Sequence, residues 1–394
     1  MLPARREELS IRIGTMRRIR LTVVLVMVFA LTVVLTRDTM CGEERIFVSS
    51  NRLTLGTDKN LSASVRIADI DRDNDLDVIV ANGRHWPQQN FLFLNQGRAR
   101  FNVQRRLGEE RSTTYAAELA DLDGDGDLDI AVGNDMAPNR IFLNDGSGHF
   151  DQSGKFGEIS SVRSLTLADV DGDGDVDILA TSRGRQNQIF LNDGSARFGL
   201  GQAFGNRDDS TINVAVADLN LDGHLDLVLA NRDGQQNYVL LNDGRAKFTR
   251  RIPFGTGKDQ TRAVAVADLD DDGKPDVVAG NIGQPNAVYL GDGKGSFRAV
   301  VKFGRENGQT YALAVADMDN DGDLDLIAGN VAQENAVFFK QSDGMSYREV
   351  RFGDESQATY GLDTGDLNGD GFQDIAVANS GSENRVYLNH PLRK

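Results

Sequence analysis

The chain has a single cysteine, Cys41, so neither an internal disulfide framework nor a thiolate zinc cluster can be built. It has only seven prolines and no Gly-X-Y period, which excludes collagen despite its 42 glycines. Basic residues are in the minority, 43 Lys plus Arg against 59 Asp plus Glu, for a formal net charge of -16. A chain of that sign is a poor electrostatic partner for nucleic acid or an anionic membrane surface, so neither is expected as a partner of the chain body. The G-x-S-x-G, H-E-x-x-H, P-loop and dinucleotide fingerprints are absent, which leaves catalysis without a sequence signature. Helix-length patterns with caps are absent after residue 45. Hydrophobic residues make up 40 %, enough for a packed core.

One long apolar run is present. Residues 21–35, LTVVLVMVFALTVVL, follow a segment carrying Arg5, Arg6, Arg12, Arg17, Arg18 and Arg20. A basic region before a run of this length reads as an export signal, and the run is short of the roughly 20 residues that span a bilayer. No Ala-x-Ala site follows, and Asp38, Thr39 and Met40 make a poor lipobox before Cys41. Residues 1–44 are expected to be an export signal or a membrane anchor with a short linker. The chain is then secreted or extracytoplasmic, with a membrane tether only through that segment.

Residues 45–394 are one unit repeated seven times. The signature Asp-x-Asp/Asn-x-Asp-Gly-x-x-Asp, followed by an apolar run, starts at 69, 121, 169, 218, 268, 317 and 366. Each copy carries four short β-type runs separated by turn residues, as in RAVAVADL, PDVVAGN, NAVYLGDG and SFRAVVKFG. Four strands per unit of about 50 residues is the pattern of a propeller blade, since one small sheet cannot bury both its faces alone. The last copy stops without a fourth strand, while ERIFVSSNRLTLG at the start resembles the fourth strand of the others. The expected fold is all-β: a seven-bladed β-propeller of four-stranded antiparallel blades, with the N-terminal strand completing the last blade. That closure removes exposed sheet edges. The aromatic residues Phe101, Phe150, Phe198, Phe248, Phe297 and Tyr347 recur at one place in the unit and are expected to fill the core between blades.

The repeated acidic loop carries the chemistry. Its positions 1, 3, 5 and 9 are Asp69, Asp71, Asp73 and Asp77 in the first copy, then Asp121, Asp123, Asp125 and Asp129, and then Asp169, Asp171, Asp173 and Asp177. The fourth copy has Asp218, Asn220, Asp222 and Asp226, and the fifth has Asp268, Asp270, Asp272 and Asp276. The last two have Asp317, Asp319, Asp321 and Asp325, and Asp366, Asn368, Asp370 and Asp374. Alternating oxygen ligands around a glycine turn make a flexible, anionic nest suited to Ca²⁺, whereas Mg²⁺ demands a tighter octahedron and softer metals prefer His or Cys. Up to seven Ca²⁺ are expected. An EF-hand would need a bidentate Glu at position 12, where this chain has Val132 and Ala180 inside expected strands. Asn74 stands at position 6 of the first loop, where a left-handed turn is needed and Asn tolerates it.

The runs ADLDGDGDLDIAVGN and NRIFLNDGSGHF, with the recurring FG, resemble FG-GAP repeats, also called VCBS repeats, over essentially all of residues 45–394. The integrin alpha head and seven-bladed fungal lectins belong to that family. The resemblance implies that the acidic loop joins the first two strands of each blade and holds Ca²⁺. It leaves activity open, because one scaffold serves many functions and the family includes polysaccharide lyases.

Loops between strands two and three, and between blades, are expected on the face opposite the metal loops. There His85, Trp86, Tyr115, Arg163, Arg262, Tyr311 and Tyr360 are the candidate ligand-binding residues, rings beside cations that suit a glycan or protein ligand. The expected function is that of a non-catalytic, calcium-binding, extracytoplasmic recognition propeller. The alternatives are a carbohydrate-active enzyme such as a polysaccharide lyase, or a purely structural or assembly propeller.

Overall fold

The computed structural model describes residues 44–344 and 346–392. The expected export or anchor segment lies outside the described residues. Those described contain strands, turns and bends and no helix, so none of them is long and apolar enough as a helix to cross a membrane.

Seven four-stranded antiparallel blades follow one another. Blade 1 comprises Ser62–Ala68, Asp77–Asn82, Phe91–Leu94 and Val103–Arg106. The inner strands of the next five blades are Thr114–Ala120, Ser160–Ala168, Thr211–Ala217, Thr261–Ala267 and Thr310–Ala316. Blade 7 is built from Thr359–Gly365, Asp374–Asn379 and Asn384–Pro391. Its outer edge is completed by Arg45–Val48, paired antiparallel with Arg45 opposite Pro391 and Val48 opposite Leu388. A second short strand, Thr54–Leu55, pairs with Arg385 and Asn384. The closing segment is therefore two pieces rather than one strand, because residues 49–53 turn away and Leu53 N–H donates to the Ser50 carbonyl at 2.9 Å. Blades 2 and 3 are also stitched together, where Ser160 and Ser161 pair with Ala137 and Asp135.

The core is seven separate clusters, each shared by two adjacent blades. The cluster that closes the ring joins Leu55, Val65, Val80 and Phe93 to Leu367, Ala376 and Val386. Second strands such as Asp77–Asn82 and Asp325–Asn330 are buried along their whole length, since a blade lies on both sides. The recurring aromatics pack where expected: Phe297 contacts Phe254 and Tyr289 of the neighbouring strands at ring distances of 5.3 and 5.7 Å. In every blade but the fourth, the glycine that follows the last apolar residue sits under a side chain of the next blade. At Gly157, φ is +63°, and a Cβ would lie 2.5 Å from the Phe190 ring, so both conformation and space demand glycine.

Two polar latches tie the blades. On one face, the side-chain oxygens of Asn90, Asn139, Asn187, Asn237, Asn286, Asn335 and Asn384 each accept an N–H at 2.8 to 3.1 Å, from the residue ending the second strand or, in blade 2, from Asn134 within Asp129–Ala137. Asn90, Asn237 and Asn335 also donate to a threonine hydroxyl of the following blade. On the metal-loop face, Asn95, Asn144, Asn192, Asn242 and Asn389 donate to the carbonyl at loop position 2 of the preceding blade. Blade 6 carries Lys340 at that place, and it is buried between Asp323 at 2.9 Å and Asp271 at 3.5 Å.

Candidate metal loops and channel mouth

Each acidic loop follows an inner strand, so all seven lie at one end of the strands. Position 2 anchors the loop: Ile70, Leu122, Val170, Leu219, Leu269, Met318 and Leu367 are fully buried between blades. Position 1 caps the turn, its carboxylate accepting the N–H of position 6 in every copy, from Asn74 in the first loop to Gly371 in the last. Asn74 does adopt the left-handed conformation, at φ 70°. Position 5 accepts the N–H of position 7 in every copy. Position 9 is buried and ties the loop to the sheet. Asp325, for example, accepts N–H groups from Met318 at 3.0 Å and Lys340 at 2.8 Å.

Positions 1, 3 and 9 converge. In five loops their carboxylates approach within 4.8 Å of one another: Asp69, Asp71 and Asp77; Asp121, Asp123 and Asp129; Asp169, Asp171 and Asp177; Asp268, Asp270 and Asp276; Asp317, Asp319 and Asp325. These five clusters could hold a metal ion. The fourth and seventh loops have Asn220 and Asn368 at position 3 and bring one carboxylate fewer. The donor set passes a sharper test at position 3. Asp71, Asp171, Asp270 and Asp319 each keep one carboxylate oxygen buried without a hydrogen-bond partner. A buried, unpaired anionic oxygen is costly unless a cation meets it. Residues at positions 1, 3, 5 and 9 therefore suit a hard divalent ion, with position 5 also engaged in its own turn. In the fifth loop the chain's own cations compete: Arg298 pairs with Asp270 and Asp272, and Lys274 pairs with Asp272 at 2.8 Å.

The electrostatics match. Burial pushes Asp325 up to about 8, Asp77 and Asp374 to about 7, and Asp129, Asp177 and Asp226 to about 6, against the opposing pull of two backbone N–H groups each. An unfolded Asp titrates near 3.9, so the metal-free fold holds more protons than the unfolded chain between about pH 4 and 8. Its stability should rise on acidification through that window. Bound calcium would keep the same groups ionised, so a calcium-loaded protein should lose stability as protons displace the metal. Thermal melts in EGTA and in calcium at pH 5 and pH 8 check this; slopes of the same sign would contradict it.

The opposite ends of the inner strands surround an axial cavity of about 360 Å³, to which all seven blades contribute. The sequence candidates Tyr115, Arg163, Arg262, Tyr311 and Tyr360 all line it. Arg163 lies over the Tyr115 ring at 4.2 Å, Arg262 over Tyr311 at 5.8 Å, and Tyr311 meets Tyr360 edge to face at 4.9 Å. His85 joins the group, its Nδ1 being 3.2 Å from the Tyr115 hydroxyl. Trp86 is 71 % exposed and does not line the cavity. Sequence reasoning missed Arg84, over Tyr360 at 3.5 Å, and Asp135, paired with Arg163 at 3.2 Å. Both closely follow an asparagine of the second strand, Asn82 or Asn134, a place where the repeat units differ. It also missed a half-buried group deeper in the channel, where Arg66 grips Glu118 through two bonds of 2.6 and 2.8 Å with Asp363 nearby. The signal was present, since the equivalent inner-strand positions of blades 4, 5 and 6 are Ala215, Ala265 and Ala314.

Fold and site together define a closed seven-bladed β-propeller with an acidic loop on every blade. Family models described as an FG-GAP-like repeat match residues 69–132, 121–180, 169–229, 218–279 and 268–328, and one described as an FG-GAP repeat matches 358–388. The chain belongs to the FG-GAP repeat family. Among solved structures it is similar to BBS1N, crystallised in complex with ARL6DN and soaked with mercury or with lead. Both comparisons give a TM-score of 0.55 and 14 % identity, covering 86 % and 88 % of this chain and 97 % and 99 % of the other. At that identity the likeness concerns the fold alone. No curated protein matches the chain.

Proposed function

We propose that the protein is a calcium-loaded extracytoplasmic propeller that recognises a glycan or protein ligand on the face opposite its metal loops and catalyses no reaction. The observation that carries the metal reading is the set of buried, partnerless oxygens on Asp71, Asp171, Asp270 and Asp319. Bound calcium would neutralise the loop carboxylates and pin each loop between its blades. Flexible all-oxygen loops of this kind suit the weak affinities of extracellular modules, with Kd of about 10⁻⁴–10⁻³ M.

The ligand reading rests on the channel mouth, where tyrosine rings and guanidinium groups converge around a cavity of about 360 Å³. Burial pushes the Tyr115 hydroxyl up, while burial and the neighbouring Arg84 and Arg163 push His85 down, which favours a neutral hydrogen-bonded pair at the rim. A glycan and protein binding screen in calcium buffer tests the proposal. A ligand should be retained without turnover, and Tyr311→Ala should weaken it at least about tenfold with the melt unchanged. Trp86→Ala tests whether the rim takes part. Binding untouched by either variant would sink the opposite-face site.

A further inference from the structure

We propose that the channel mouth is a receptor for a carboxylate carried on a sugar residue, with Arg262 as its central anion-binding side chain. This rests on the reading that the face opposite the metal loops binds a ligand.

Arg163 and Arg262 line the mouth of a chain whose net charge is -16, Arg84 lies over the Tyr360 ring beside them, and the like charge of Arg232 acts on Arg262. Among the described residues, the ion pair made by this group is Arg163 with Asp135, whose other oxygen accepts the Ser161 hydroxyl. Arg84, Arg232 and Arg262 donate no side-chain hydrogen bond to any described group, and the Nε atoms of Arg84 and Arg232 are buried without a partner. Burial and the like charge of Arg232 bring Arg262 down to about 10. Three cations kept close together, partly desolvated and unpaired, are costly in the free protein, and an incoming anion relieves that cost. A guanidinium offers a planar fork that meets a carboxylate through two parallel bonds.

The rings select the carrier. Arg84 covers one face of Tyr360 at 3.5 Å and Arg163 one face of the buried Tyr115 at 4.2 Å. Tyr311, whose guanidinium neighbour Arg262 stands 5.8 Å away, is therefore the ring best placed for a ligand in a cavity of about 360 Å³, near the lower end of the range for small-ligand sites. A sugar acid uses both features in one rigid body, its ring on a phenol face and its carboxylate in a guanidinium fork. An acidic peptide side chain would use only the second.

The test is calorimetry of the full propeller in calcium buffer with trigalacturonate, with its methyl ester, and with poly-glutamate. The methyl ester keeps the shape and removes the charge. The acid should bind at least about tenfold more tightly than the ester and weaken as salt is raised. Arg262→Ala should abolish the difference between acid and ester, and Arg262→Lys should restore only part of it. Because Arg262 lies on an inner strand, Arg84→Ala, in a loop, repeats the test without touching the barrel of inner strands. Equal binding of acid and ester overturns the anion inference and leaves the ligand-binding face standing. Binding of poly-glutamate alone overturns the sugar assignment. If none of the three probes binds while the broader screen finds a ligand sensitive to Tyr311→Ala, this inference fails by itself. If the screen also finds nothing, both readings fall.

Discussion

Deleting residues 1–56 is expected to give a chain that aggregates, not a propeller short of one strand. The deletion strips the outer edge of Asn384–Pro391, leaving a row of unpaired backbone groups that template association. It also removes Phe47, which packs on Phe339 and Phe352 at ring distances of 6.4 and 5.5 Å, and Leu55, which is 2 % exposed in the cluster joining blades 7 and 1. Each such side chain is worth roughly 2–3 kcal/mol of burial. Arg45 is lost as well, with its 2.8 Å bond to Asn389 and its stack on Phe372 at 3.6 Å. Asn389 in turn holds the acidic loop of blade 6 through the Met318 carbonyl at 2.7 Å. Size-exclusion chromatography of residues 57–394 beside residues 44–394 checks this. A peptide of residues 44–56 added in trans should restore a soluble monomer. A truncated monomer melting with the longer chain would contradict the closure.

The second large effect is that of calcium removal. At free calcium 100-fold above Kd, each filled loop stabilises the fold by about 2.7 kcal/mol. Five such loops together contribute about 13 kcal/mol, comparable to the whole stability of an ordinary domain. At about 2 °C per kcal/mol, EGTA at neutral pH should lower the melting temperature by more than about 15 °C. Magnesium at the same concentration should recover little of it, because Mg²⁺ dehydrates reluctantly and asks for a smaller cage. Equal melting in EGTA and in calcium would show that the loops are held by their own hydrogen bonds.

Much of the fold could be read before the structure was seen, because repetition multiplies weak signals. One DxDxDG turn is ambiguous, whereas seven in near-constant register set the blade, and the unfinished last copy pointed to Arg45–Val48 as its missing edge. The acidic-loop positions were legible for the same reason. What stayed hidden was whatever differs between copies. The loop Asn82-Gly83-Arg84 and its counterpart Asn231-Arg232 look like ordinary polar turns, and only the closing of the ring brings their guanidinium groups beside Arg262. Tyr115, Arg163, Arg262, Tyr311 and Tyr360 were found because they share one place in the repeat. Trp86 was singled out for its rarity, and rarity does not determine where a side chain sits. The division of labour within the loop was also beyond sequence. Positions 1, 3 and 9 converge, while position 5 caps its own turn, because hydrogen-bond direction depends on the backbone path that the buried position 2 residue imposes.

The most direct test of the account is calcium stoichiometry, read by isothermal calorimetry together with elemental analysis of the dialysed protein. The account predicts at least five Ca²⁺ per chain, from the five converging carboxylate clusters, and up to seven if the loops carrying Asn220 and Asn368 also fill. A value near zero would contradict it.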